Sequence, residues 1–313
     1  MIGTLTNALL PIVVTLILGF FAGWHHDFSV DQSSILNRMV MLYALPMSLF
    51  AGILSTPRKE ILSNVPMVIW LSIGMIGGFI MVLIISHFIF KRNLSVSVLQ
   101  AIAIAGPAVP FVGASVLNTL FGSESTLAIA ICGLLINLVQ IPICIILLSY
   151  DSNDRSDANP ITLFEKNIVS TLKEPVVWAP LLAFTIELCG ITLPASFQTS
   201  FALLGKTTGG VALFSSGIIL FSHKVKLTWP VGINILSKNV LLPLAIWALM
   251  IISGTPGTIQ NIVLISLAIP TGSIGIILAV QFKVAEKEMA STLFYSTILS
   301  IVTMGIFMWL TGV

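Results

Sequence analysis

Of the 313 residues, 57% are hydrophobic and only 8% are charged, so no soluble fold of this chain would present water with enough polar surface. A bilayer must act as solvent. The formal net charge is +2, and the basic residues are scattered through short loops, which excludes the concentrated basic face that nucleic acid requires.

In chain order, apolar stretches long enough to cross about 30 Å of hydrocarbon recur at 5–24, 35–55, 65–90, 97–120, 127–149, 175–193, 197–221, 229–252, 259–282 and 289–310. Neither Lys nor Arg precedes the first run, and a cleavable signal peptide needs a basic region there, so that run is expected to be a retained span. The long connection, 150–174, carries Asp151, Asp154, Arg155, Asp157, Glu165, Lys166 and Lys173. It divides the chain into 1–149 and 175–313, each with five expected spans.

Alternate loops differ sharply in basic residues. One set holds Arg38, Lys91, Arg92, Arg155, Lys166, Lys173, Lys224, Lys226, Lys283 and Lys287, and the other only Arg58 and Lys59. The first set is expected to face the cytoplasm, which places the central loop inside and both termini outside. Because five is odd, the second block enters the membrane from the side opposite to the first. The expected fold class is therefore an all-α membrane protein of ten transmembrane helices in two inverted five-helix repeats. Leu36-Asn37-Arg38 with Tyr43-Ala44-Leu45-Pro46-Met47-Ser48 is echoed, at nearly constant separation, by Leu204-Gly205-Lys206 with Val211-Ala212-Leu213-Phe214-Ser215-Ser216. Pro11 and Pro180, and Pro107 and Pro270, repeat at similar separations.

Two spans carry breakers at their centres. The fourth reads Ala105-Gly106-Pro107-Ala108-Val109-Pro110-Phe111-Val112-Gly113, and the ninth reads Ala268-Ile269-Pro270-Thr271-Gly272-Ser273-Ile274-Gly275. Proline removes a backbone donor and blocks helix continuation, so helices four and nine are expected to be discontinuous and to cross. Freed carbonyls and amides are costly in hydrocarbon and persist only beside protein, water or ligand. The amino ends of the resumed half-helices favour an anion such as a carboxylate, and the carboxyl ends favour a cation. The substrate site is accordingly expected at Gly106, Pro107, Ala108, Val109 and Pro110, with Pro270, Thr271, Gly272 and Ser273 opposite.

Intramembrane ionisable groups are functional candidates by default. Lys238, beside Asn239 and before Pro243, is read as a cation surrogate at the carbonyl ends, as the counter-charge of a substrate carboxylate, or as a side chain snorkelling to the interface. Lys206 and Glu187 are expected to snorkel, and Arg38 to anchor the cytoplasmic edge. Ser48, Ser215, Ser216, Asn137 and Gln140 are polar candidates for the cavity, the last two being three apart on one helix face. Asn118 and Gln281 are weaker ones. His25, His26, His87 and His223 read as interfacial and Cys132, Cys144 and Cys189 as small core residues, with no metal-ligand spacing among them. No phosphate loop or nucleophile elbow is present, so no enzyme activity and no cofactor are expected, and energy would come from gradients.

Leu36-Asn37 leading into Tyr43-Ala44-Leu45-Pro46, the broken fourth span, Lys238 with Pro243, and Ala268-Ile269-Pro270 running on to Ser296-Thr297-Ile298-Leu299-Ser300 together resemble the auxin efflux carrier family, particularly its bacterial malate and malonate permease branch. The resemblance covers essentially the whole chain. It implies a scaffold and a transport domain, an elevator-like motion, substrate binding where spans four and nine cross, and a homodimer built through spans one, two, six and seven. Plant members carry asparagine before the break proline. Gly106 stands there in this chain, which shifts recognition to backbone amides, Asn137 and Thr271. The expected function is secondary transport of small carboxylates such as malate or malonate across the cell membrane, coupled to protons or the membrane potential. The alternatives are a passive anion channel and a carrier of another carboxylate such as an auxin-like acid.

Overall fold

The computed structural model describes residues 10, 14–15, 17–54, 64–151, 173, 175–191, 194–222 and 225–313. Part of the first expected span, including Pro11, together with Arg58, Lys59, His223, Lys224 and most of the linker, including Arg155 and Lys166, lies outside these residues.

Every named element among the described residues is helical. α1 (Val30–Met39) and α2 (Leu45–Leu54) form one rod through a π-helical turn at Val40–Ala44. α3 (Val65–Ser72) and α4 (Gly78–Ile84) form another through Ile73–Gly77. α5 (Leu94–Ala105) stops at Gly106, and the chain resumes at Val109–Gly113 before α6 (Ala114–Phe121). α7 (Ser125–Leu134) leads through the wide turn Leu135–Gln140 into α8 (Ile141–Asp151). Past the linker come α9 (Pro175–Leu188), α10 (Ala195–Gly205) and α11 (Thr208–Ser222). α12 (Trp229–Leu236) and α13 (Leu242–Ile252) are joined by Ser237–Leu241, and α14 (Gly257–Ala268), α15 (Ile274–Phe282) and α16 (Glu286–Thr311) complete the chain.

Local chemistry sets these boundaries. Ser29 opens α1 with a capping box, its hydroxyl accepting from the Gln32 amide at 3.3 Å while Gln32 Oε1 accepts from the Ser29 amide at 2.8 Å. Asn93 caps α5 by accepting from the Val96 amide at 2.9 Å. Pro46, Pro142 and Pro243 each stand second in the helix after a π turn. The ring crowds the carbonyl four residues back and supplies no donor, so the turn before it widens instead of breaking.

Among the described residues, six helical stretches are long and apolar enough to cross a bilayer. In the stretch Val65–Ile89, Met67, Leu71, Met75 and Phe79 are buried, while Ile69, Ile73, Ile80 and Ile84 are exposed. Both faces are apolar, and the outward one needs lipid rather than water. α5 and α14 fall short of a span because each ends at a mid-chain break, and α9 is also a shorter apolar helix. The seventh expected span holds an interruption that the sequence reading did not anticipate, a turn at Lys206 and Thr207 between α10 and α11.

Contacts run between the two halves of the chain. α2 packs against α9 and α10, and α1 against α11. A Cβ on Gly19 would collide with the Phe214 carbonyl, so the helical stretch around Gly19 also approaches α11 at backbone distance. The other assembly centres on α5, which touches α4, α8 and α15, while α16 holds α12, α14 and α15. α7, α6 and the Val109–Gly113 turn lie where these groups meet, against α2, α9 and α11.

A polar clasp fastens the second group near the start of α5 and of α16. Arg92 donates two hydrogen bonds to Glu288, at 2.6 and 2.8 Å, and another to Gln100 at 3.3 Å. The Gln100 amide donates to Asn234 Oδ1 at 2.6 Å, and Asn234 donates to Glu288 and Thr292, both at 3.2 Å. Ser86 donates to Gln100 Oε1 at 2.7 Å, which ties in the end of the Val65–Ile89 stretch. Glu288→Gln removes the anion that Arg92 and Asn234 share. Thermal unfolding in detergent is expected to show a loss of about 1–3 kcal/mol, the scale of a charge-assisted hydrogen bond, partly restored by adding Arg92→Gln. An unchanged midpoint would remove the clasp from the account.

Candidate functional site

The two interrupted helices meet at their interruptions. Ala108 N donates to the Pro270 carbonyl at 2.9 Å, and Gly272 N donates to the Gly106 carbonyl at 2.9 Å. Pro107 and Thr271 thus oppose each other as an isolated antiparallel bridge, a two-strand contact set within an all-helical surrounding.

Side chains pair several of the other freed backbone groups. Gln140 Nε2 donates to the Ala105 carbonyl at 3.0 Å and to the Met75 carbonyl at 2.9 Å. Thr271 Oγ1 donates to the Ala103 carbonyl, and Thr271 N donates to Ser296 Oγ at 3.2 Å. Ser296 in turn donates to Asn239 Oδ1 at 2.7 Å, while Asn239 Nδ2 donates to the Ser296 carbonyl at 3.0 Å. Lys238, 0% exposed, donates to the Leu267 carbonyl at 2.8 Å, at the carboxyl end of α14. No carboxylate among the described residues pairs with that ammonium, so its compensation is the helix end and the dipole behind it.

Beside this knot lies a cavity of about 180 Å³. Gly106, Pro107, Ala108 and Pro110 line it from one break and Gly272 and Ser273 from the other, so the start of α15 faces it with its unpaired amides. Asn137 also lines it. One of its two Nδ2 hydrogens goes to the Gly133 carbonyl at 2.8 Å, which leaves the second N–H as a donor for a ligand oxygen. Ile136, Ile141, Ile274 and Ile277 add apolar walls.

Two further lining residues are Asn37 and Arg38. Arg38 was expected only as an edge anchor, yet its position at the cavity gives the site a fixed positive charge. The signal was present in the Leu36-Asn37-Arg38 repeat motif, which pairs it with Lys206.

The other sequence candidates divide. Val109 is buried in the hydrophobic core, and its amide is used by the Pro107 carbonyl at 2.8 Å. Pro270 contributes its carbonyl to the bridge, and Thr271 turns its hydroxyl to the end of α5 rather than to the cavity. Asn137 and Gln140 do not act as a pair: one borders the cavity and the other caps a helix end. Ser215 donates to the Ser33 carbonyl at 2.9 Å, joining α11 to α1 away from the bridge. Ser48 lines a different cavity, with Asn118 and Lys206. Cys132 and Cys144 are buried, whereas Cys189 is exposed just past α9. Among the described residues, no group of three or more His, Cys, Asp or Glu is placed to hold a metal.

Comparison with known proteins gives concordant results. The family described as "Membrane transport protein" matches residues 4–308. The chain is 31% identical, over 305 residues, to an uncharacterized transporter, YfdV, of Escherichia coli K12, a match covering 97% of this chain and 96% of the relative. The transporters of the same name in Escherichia coli O157:H7 and Shigella flexneri match to the same extent.

Gly106 is sterically required at the bridge. A Cβ there would stand 2.5 Å from the Ile102 carbonyl and 3.4 Å from Gln140 Oε1. Gly106→Val is therefore expected to push the two breaks apart, costing about 1–3 kcal/mol in detergent thermal unfolding, the range for overpacking. Wild-type stability in this variant would contradict the geometry.

Proposed function

The chain belongs to the membrane transport protein family, and from that premise we propose that it is a secondary carrier of small carboxylates, malate or malonate first, which bind beside the paired helix breaks. The observation that carries this reading is the cavity of about 180 Å³ in which helix-start amides, Asn137, Asn37 and Arg38 converge. Such a volume is smaller than the roughly 300–1,000 Å³ of drug-sized pockets and suits a compact diacid. Positive helix ends and a guanidinium select for negative charge, and a guanidinium pairs with a carboxylate through two parallel bonds. The isoleucine walls match a short carbon chain. The choice of malate and malonate follows the resemblance to the permease branch.

The proposed topology is ten helices in two inverted repeats, 1–149 and 175–313, joined by a cytoplasmic linker, 150–174, with both termini outside. The bridge sits at the crossing of the fourth and ninth helices. The cavity is bordered by α15, Ile141 of α8 and Arg38 of α1, the parts that the charge pattern puts in the cytoplasmic half, which supports an inward-facing reading of this conformation. In the proposed elevator motion, the group centred on α5 and α16 slides as a unit against α1, α2, α9, α10 and α11, which would also supply a homodimer contact. Lys238 occupies the carboxyl end of α14, where a coupled transporter would otherwise bind a metal cation, so a sodium ion has no role in this scheme. Among the described residues no acidic one lines the cavity, and a proton would travel on the acid itself as its monoanion.

The direct test is uptake of labelled malate into proteoliposomes under an imposed proton gradient or potential. Saturable uptake with trans-stimulation is expected, since a carrier accelerates exchange and a passive channel does not. Arg38→Gln is expected to raise KM by tenfold or more, equivalent to about 1.4 kcal/mol of lost binding. Lys238→Ala should lower the maximal rate at least tenfold. Absence of saturable uptake under any gradient would reject the carrier for these acids.

A further inference from the structure

Thr208 Oγ1 and Gln140 Oε1 are the buried side-chain atoms among the described residues that find no hydrogen-bond partner. Gln140 Oε1 lies against the bridge. Thr208, 2% exposed, lines a second and larger cavity of about 1060 Å³ between α2, α6, α10 and α11.

The end of this cavity at the unanticipated interruption has the makings of an anion site. α11 starts at Thr208, and its first amide that bonds back, Val211 N to the Thr207 carbonyl at 3.0 Å, leaves the preceding amides as the open end of a helix of 15 residues. A Cβ on Gly210 would meet nothing within 4 Å, so a ligand can reach that backbone. Lys206 lines the same cavity and is its one charged lining residue among the described residues. Gly205 lets the interruption lie directly on α2, since a Cβ there would stand 2.8 Å from Ser48 Cα. Lys206 is also the repeat counterpart of Arg38, which borders the cavity at the bridge.

We infer that the cavity at the start of α11 is a second carboxylate station, on the outer side of the bridge, where Lys206, the Thr208 hydroxyl and the leading amides of α11 hold the anion. A buried hydroxyl without a partner is costly, and a carboxylate oxygen accepting from it removes that cost. The station rests on the carrier reading for its place in a transport cycle: it would collect the acid from outside before the bridge receives it, as Arg38 does from inside. The chemistry of binding itself needs no transport.

Two measurements separate these levels. Calorimetric titration of malonate into the full-length protein in detergent is expected to show two sites, of which Lys206→Gln/Thr208→Val weakens one at least tenfold and Arg38→Gln weakens the other. In intact cells the Lys206/Thr208 variant should raise KM for malonate influx about fivefold or more at unchanged maximal rate, while inverted membrane vesicles, which present the cytoplasmic face, show the wild-type KM. Malonate titrations that Lys206→Gln/Thr208→Val leaves unaltered, or that show no binding, would overturn the station. If instead uptake is absent while the titration still loses a site with Lys206, the carrier reading fails and the station stands.

Discussion

A peptide group that loses its helical partner inside hydrocarbon must find another or cost several kcal/mol, and this requirement shapes the centre of the protein. Prolines at 107, 110 and 270 force the loss twice. The structure answers it by placing the two interruptions side by side, so that Ala108 bonds to Pro270 and Gly272 to Gly106. Each break is the partner of the other. What the bridge leaves over is taken by Gln140, Thr271 and Lys238, each directed at a carbonyl in the last turn of a half-helix.

That division of labour separates polar residues that hold the break from polar residues free to meet a ligand. Lys238, Asn239 and Gln140 all sit in wide turns that precede Pro142 or Pro243, so the same prolines that perturb α8 and α13 swing these side chains inward. The amino end of α15, by contrast, is left facing a cavity, in the company of Asn137 and Arg38. The carbonyl ends of α5 and α14 are filled by the protein, whereas the first turn of α15 borders the cavity. The Arg92–Glu288 clasp closes the far end of the same assembly around α5 and α16.

The breaks were legible because proline chemistry is local: any chain reading Gly-Pro-Ala-Val-Pro inside an apolar run has to interrupt its helix. The bilayer setting was legible from composition for an equally simple reason. What the sequence hid was which polar groups would be consumed by structure. Thr271 looks like a ligand residue until its hydroxyl is seen on Ala103, and Ser215 until its hydroxyl is seen on Ser33. Both pairings join residues far apart in the chain, so no local pattern announces them. Arg38 was hidden in the opposite sense: a basic residue at the expected end of a span reads as an anchor, and only the fold brings it to the bridge. The interruption at Lys206 and Thr207 carries no proline, and neighbouring glycines are common enough in membrane helices to pass without notice.

The central claim is best tested by a cryo-electron microscopy map of the protein in lipid nanodiscs with malonate. The account predicts two helices interrupted at 106–108 and 269–273, joined to each other by main-chain density, with a ligand between Arg38, Asn137 and the start of α15. Two straight, uninterrupted helices facing lipid, or malonate bound only at sites remote from both interruptions, would contradict it.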